Sequence, residues 1–170
     1  MKEFKTNLNP LIPLIRFLGV LIFGVVLIKI FYTFFRNLTE NSAREYFILF
    51  VGVPLIGYLF YVFLKGFSRS TKNYVLDNFS LRVFNLLTLQ TEKISKENIR
   101  GFSTSEIPYR IATFKQIIIY LRDGRKLELM QFEYFNFRKI ESALCYNDYI
   151  FLGHELYVWK FLDFRVYHFE

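Results

Sequence analysis

Residues 17 to 35 read FLGVLIFGVVLIKIFYTFF, nineteen residues with one formal charge, Lys29. As a helix rising about 1.5 Å per residue, the run covers roughly 28 Å, close to the thickness of bilayer hydrocarbon. Fourteen of its residues are Leu, Ile, Val or Phe. On an insertion scale they contribute about −6 kcal/mol together, against about +2.5 to +3.5 for a central lysine. Insertion wins by a few kcal/mol even before the lysine stretches toward an interface. The run also lacks the polar stripe that a soluble amphipathic helix needs. The pattern predicts a transmembrane helix starting near Leu11. A cleaved leader is the competing reading, but the apolar core is too long for one and no small-residue cleavage pattern follows.

A second run, YFILFVGVPLIGYLFYVFL, occupies residues 46 to 64 without a charge. Pro54 near its middle predicts a kink, which membrane helices tolerate. The short link RNLTENSARE makes the two runs antiparallel neighbours. The expected organisation is a helical hairpin over 1–72, with spans of about 11–35 and 45–67, followed by a separate domain over 73–170.

The net charge of +7 gains meaning from its location. Residues 1–72 carry nine Lys or Arg and three Asp or Glu, whereas 73–170 carry thirteen and twelve. The basic excess lies beside the apolar runs, where topology rules put it, and not on a folded face that would meet nucleic acid. Lys2, Lys5 and Arg16 lie at the amino end and Lys65, Arg69 and Lys72 follow the second run, while the link holds Arg36 and Arg44. This bias predicts both termini on the cytoplasmic side. The single cysteine, Cys145, rules out an intramolecular disulfide and suits a reducing compartment.

From Asn73 onward, short runs rich in Val, Ile, Tyr and Phe alternate with polar turns, the pattern of strands. YVLDNFSLRVFN predicts two strands about Asp77-Asn78, and LTLQTEKISKENIRGFST two more about SKEN. FKQIIIYLRDGRKLELMQF, residues 114–132, predicts a hairpin. A two-residue Asp123-Gly124 turn would set Ile119 against Glu128. A three-residue loop, Arg122-Asp123-Gly124, pairs Ile119 with Leu127 and Ile117 with Leu129, all on one face. The three-residue loop is the expectation, with Gly124 in the left-handed region. NFRKIESALCY, residues 136–146, predicts a helix with Phe137, Ile140 and Leu144 on one stripe and Asn136 as N-cap, ended by Asn147-Asp148. The tail, residues 149–169, holds eight aromatics, and Tyr157, Trp159 and Phe161 alternate as in a strand. It could cover the sheet, lie at a membrane interface, or meet a partner.

Several strands, a strong hairpin with a DG turn and one later helix together resemble the bacterial pleckstrin-homology-like (PH-like) domains. The stretch ENIRGFSTSEI…FKQIIIYLRDGRKLELMQFEYFNFRKIESAL carries the resemblance. Such proteins often place the domain directly after a two-helix membrane hairpin. The resemblance implies an α+β protein: a two-helix transmembrane hairpin, then a bent, seven-stranded antiparallel sheet or barrel capped by a C-terminal helix. It implies a bacterial inner membrane and no enzyme activity. Phosphoinositide-binding relatives use basic residues in the first strand-to-strand loop. Here that loop reads LDNFSL, so that ligand is not carried over.

Candidate sites are few. Lys65, Arg69 and Lys72 are placed to touch anionic headgroups, or simply to set topology. Lys29 either contacts a partner within the membrane or stretches to the outer interface. His154, His168 and Cys145 show no metal or nucleophile spacing, and Cys145 reads as a small helix residue near the core. Asp77, Glu128 and Asp163 are carboxylates that only a fold could bring together. No phosphate-loop or other cofactor motif is present. The expected function is a membrane-anchored, non-enzymatic binding or adaptor module supporting a protein assembly. Its expected partners are the lipid bilayer, a membrane or cytoplasmic protein or a second copy of the chain, and not nucleic acid. The alternative is a membrane-bound enzyme, or an accessory subunit, acting on lipids.

Overall fold

The computed structural model describes residues 3–36, 43–108, 112–160 and 164–169. Most of the expected link, Phe161 and Asp163 lie outside the described residues. The chain is α+β and divides into two compact units, Pro10–Ser70 and Met1–Asn9 with Thr71–Glu170.

The first of these units is helical. Helix α1 spans Leu11–Arg36. Pro13 falls in its first turn, where a missing N–H leaves no helical bond unmade. Helix α2 spans Ala43–Phe47 and α3 spans Val53–Ser70, joined by a widened π turn, Ile48–Gly52. Pro54 explains that turn. In a regular helix its ring would strike the carbonyl four residues back. The Val53 N–H instead bonds the Ile48 carbonyl five residues back, so the extra residue absorbs the conflict. The contacts between α1 and α3 run antiparallel: Phe17 meets Phe67 and Phe23 meets Phe63, with ring centroids 5.5 and 5.4 Å apart. Gly19 makes the approach possible, because a Cβ there would lie 2.1 Å from the Phe63 ring. Arg16, expected only as a topology charge, also donates to the Gly66 carbonyl at 2.7 Å. Around the rest of α1, side chains such as Ile22, Val25 and Ile28 are exposed. Two helical stretches, Leu11–Arg36 and Ile48–Ser70, are long and apolar enough to cross a membrane.

The second unit contains two four-stranded sheets. In the first, the order is β1 (Phe4–Lys5), β2 (Lys72–Leu76), β3 (Ser80–Asn85) and β4 (Gln90–Ser95). In the second, the order is β7 (Lys126–Met130), β6 (Thr113–Leu121), β5 (Ile99–Pro108) and β8 (Phe151–Leu156). Helix α4, Arg138–Tyr146, comes between β7 and β8, and a small hairpin, β9 (Val158–Lys160) and β10 (Phe164–Val166), follows. The core gathers Leu76, Leu81, Phe102, Ile117, Leu129 and the α4 stripe Phe137, Ile140 and Leu144. The hairpin register is the expected one, Ile117 with Leu129 and Ile119 with Leu127. The Leu121 N–H donates to the Arg125 carbonyl at 2.9 Å, which closes a three-residue loop, and Gly124 has φ +84°.

The structure differs from expectation at five places. In place of the expected single bent sheet of seven strands, the described residues form two four-stranded sheets and a two-stranded hairpin. Residues 1–9, expected with the membrane hairpin, belong with the sheets: β1 pairs with β2, and Leu8 bridges to Tyr134. The second sheet is mixed, not antiparallel, because β8 runs parallel to β5. Gly101 permits this junction, since a Cβ there would sit 2.6 Å from the Ile150 carbonyl oxygen. Asn136 is not the N-cap of α4. Its side chain instead accepts from the Asn7 N–H at 2.7 Å and donates to the Lys5 carbonyl at 2.9 Å. Cys145 is exposed rather than near the core. The expected end of α4 holds in detail. Asp148, at φ +54°, lets the Tyr149 and Asp148 N–H groups bond the Leu144 and Cys145 carbonyls, a Schellman closure.

Candidate functional site

The run Gln116-Ile117-Ile118-Ile119-Tyr120-Leu121 is buried at every position. A strand with one wet face would alternate, so both faces of the second sheet are covered. One face holds the main core. The other carries Ser103, Gln116, Tyr120, Glu128 and Glu155, and the tail covers it. Glu155 is 1% exposed and accepts hydrogen bonds from the Ser103 hydroxyl, from the Tyr120 hydroxyl at 2.7 Å and from the His168 N–H at 3.1 Å. A buried carboxyl group needs such donors to offset its lost hydration. Glu128 accepts from the Gln116 amide at 2.6 Å and from the Tyr167 hydroxyl. The Tyr167 and Phe169 rings meet Tyr120 edge-on, and the Lys126 ammonium lies 4.2 Å from the Tyr167 ring centre. Of the three readings of the tail, covering the sheet is the one these contacts describe.

Beside this network lies a basic groove of about 410 Å³, lined by Arg100, Arg122, Lys126, Tyr120 and Phe169. Arg100 donates to the Phe169 carbonyl at 2.9 Å. Arg122, which the β6–β7 loop places at the rim, also borders a second concavity of about 530 Å³ that includes Phe79, Lys96, Asp148, Tyr149 and Ile150. There Lys96 donates to the Asn147 carbonyl at 2.8 Å and stands 5.4 Å from the Tyr149 ring centre. Burial, helped by the charge of Asp77, pushes the Tyr149 hydroxyl up to about 12. Burial also works against the Asp77 charge. The N–H groups of Phe79 and Ser80, the Ser80 hydroxyl and Arg82 outweigh it and hold that carboxyl below its usual range. At the hairpin tip, Arg125 is held firmly charged by Glu92 and then Asp123.

Of the residues singled out in the sequence, Lys65 and Arg69 share one face of α3, four residues apart. Lys72 belongs to the sheet unit, where its carbonyl takes the Tyr134 hydroxyl at 2.8 Å. Lys29 lies in α1 beside an open apolar hollow of about 350 Å³ lined by Ile30, Thr33, Phe34 and Ile48. Asp77 and Glu128 have separate partners and form no carboxylate pair. His154 is 3.3 Å from the Thr104 hydroxyl on adjacent strands, and only the backbone of His168 joins the Glu155 network. Among the described residues, no three His, Cys, Asp or Glu side chains gather as a metal site. The network about Glu155 and the basic groove escaped the sequence reading. One signal did point to them: the unbroken run Ile117-Ile118-Ile119-Tyr120-Leu121, which does not alternate and so asks what covers its second face.

No protein-family profile, curated protein or solved structure matches the chain.

Proposed function

We propose that this is a membrane-anchored, non-enzymatic binding module of PH-like architecture that supports a protein assembly at the cytoplasmic face of a membrane. The observation that carries the reading is the exposed apolar surface of α1 and α3. Soluble monomers rarely leave such large contiguous apolar patches open to water, and a bilayer covers them without a partner protein. Support for the PH-like part comes from two antiparallel meanders, β2–β4 and β5–β7, followed by α4, whose buried stripe belongs to the same core cluster as residues of both. Strands β1 and β8–β10 are additions to that plan. Support for binding over catalysis comes from the concavities. They are lined by cations and aromatics. The Tyr149 hydroxyl among them is pushed up to about 12 by burial, away from the range in which a general acid or base exchanges a proton near pH 7.

Cysteine accessibility in intact cells tests the anchor and its orientation. With Cys145 replaced by Ser, single cysteines at 5 and 72 should resist an impermeant reagent added outside, and one at 41 should react. Reaction at 5 and 72 with protection at 41 would reverse the orientation. For the binding role, the whole chain purified in mild detergent should retain a stoichiometric protein that Arg122→Glu releases. Lipid turnover by the purified chain alone would overturn the non-enzymatic reading.

A further inference from the structure

The turn between β3 and β4 is Leu86-Leu87-Thr88-Leu89, four residues with three leucines and no charge. Turn tips of soluble domains favour Gly, Asn, Asp and Ser. Here the leucines stand out from the surface, Leu86 at 41%, Leu87 at 49% and Leu89 at 74% exposed. Leu89 has φ +54°, a backbone region that glycine and asparagine occupy with less strain. The turn is well formed, since the Asn85 side chain accepts the Leu87 N–H at 2.9 Å. It therefore holds exposed leucines in a defined shape, one of them against backbone preference.

Bonds within the sheet unit show where this tip lies along the chain's path. The Leu86 N–H donates to the Thr71 carbonyl at 2.9 Å. Thr71 is covalently joined to Ser70, the last residue of α3. Lys72 stands directly across from Asn85 in the β2–β3 pairing. The other chain crossing lies on the same rim. Asn9, the last residue of this unit before α1, donates its N–H to the Glu133 carbonyl at 2.8 Å, and the neighbouring Tyr134 hydroxyl reaches the Lys72 carbonyl at 2.8 Å. Phe135, next in line, is 67% exposed. An apolar tip thus lies at Thr71, the first residue of the sheet unit after the apolar stretch Ile48–Ser70 in the chain.

We infer that the β3–β4 turn is a lipid-inserting tip. Its leucines lie in the interfacial layer of the bilayer that α1 and α3 cross, and Lys72 meets headgroup phosphates beside it. This rests on the membrane reading above and adds to it a second, loop-borne attachment that fixes how the sheet unit meets the lipid surface. Leucine side chains in the interfacial layer and a lysine at headgroup level are each favourable on their own.

The test uses the full chain in liposomes, with Cys145→Ser and one added cysteine per variant carrying an environment-sensitive fluorophore. Leu87→Cys and Leu89→Cys probe the tip, Glu97→Cys an exposed turn elsewhere on the unit, and Ile22→Cys the middle of α1. Lipids brominated near the headgroup end of the acyl chain should quench the labels at 87 and 89 by about twofold or more, as for groups buried at the acyl boundary, and leave the label at 97 unchanged. Lipids brominated deep in the chain should quench the label at 22. Quenching at 22 with water-like behaviour at 87 and 89 would overturn the inference and leave the membrane reading standing. Labels at 87 and 89 that are shielded from water but unquenched by lipid would assign the tip to a protein partner or a second copy, and would also overturn it. No quenching at 22 would remove the membrane reading and the inference with it.

Discussion

Asn136 offers the sharpest test of how the amino terminus is held. By sequence it reads as the N-cap of α4, and an Asn→Ala change at a cap costs about 0.5–2 kcal/mol of helix stability. In the structure its side chain spans instead to Asn7 and Lys5. Both bonds are exposed, so each is worth about 0.5–1 kcal/mol, the lower half of the usual range. Asn136→Ala should therefore loosen residues 4–9 by about 1–2 kcal/mol and leave α4 intact. At about 1.4 kcal/mol per factor of ten, local opening of that segment rises roughly 5- to 30-fold. Hydrogen exchange on the full chain in detergent reads this directly. Amides of Thr6 and Asn7 should exchange faster, while those of Ile140 and Leu144 keep their protection. Asn136→Ser separates the two roles: serine caps well but is too short to bridge both partners. If serine restores wild-type exchange, or if Ala exposes α4 while residues 4–9 stay protected, the bracket reasoning is wrong.

Two glycines should respond unequally to the same change. Gly124→Ala meets nothing within 4 Å and only a positive φ, so it should cost about 1–2 kcal/mol; Gly101→Ala drives a methyl into the Ile150 carbonyl and should exceed that in denaturant unfolding, with the β5–β8 pairing lost first. Leu144→Ala, at a fully buried position of α4, should cost about 2–5 kcal/mol by pulse proteolysis in urea, while exposed Glu141→Ala stays within about 0.5. Because the folded state lowers the Asp77 pKa, its carboxylate stabilises the fold above its unfolded value of about 3.9 and that contribution fades as pH falls through the lower folded value. Asp77→Asn should flatten the stability profile in that acid window and nowhere above pH 5, and an unchanged profile would show the turn to be indifferent to the charge.

What the sequence alone determined is what repeats over short distances. The length and apolarity of residues 17–35 and 46–64 were enough for two long apolar helices, because a helix satisfies its own backbone and needs only a surface to match its solvent. The β6–β7 register was equally legible. One choice of loop put Ile117, Ile119, Leu127 and Leu129 on one face and gave Gly124 the conformation it favours. The stripe Phe137, Ile140 and Leu144 stood out for the same reason, a period of 3.6 residues. The tertiary structure decided everything that joins distant segments. Nothing in the local pattern of Phe4 and Lys5 names β2 as their partner, nor β5 as the parallel neighbour of β8. Those pairings depend on which strand edges remain open after the meanders form. Asn136 shows the physical reason most clearly. A short polar side chain before a helix has a local partner and a distant one of comparable worth, and the approach of residues 5–7, some 130 positions away, settles which it takes. Glu155 is the same case inside the sheet. Its neighbours in sequence say strand, while its burial follows from Ser103, Tyr120 and the returning tail converging on it from three separate parts of the chain.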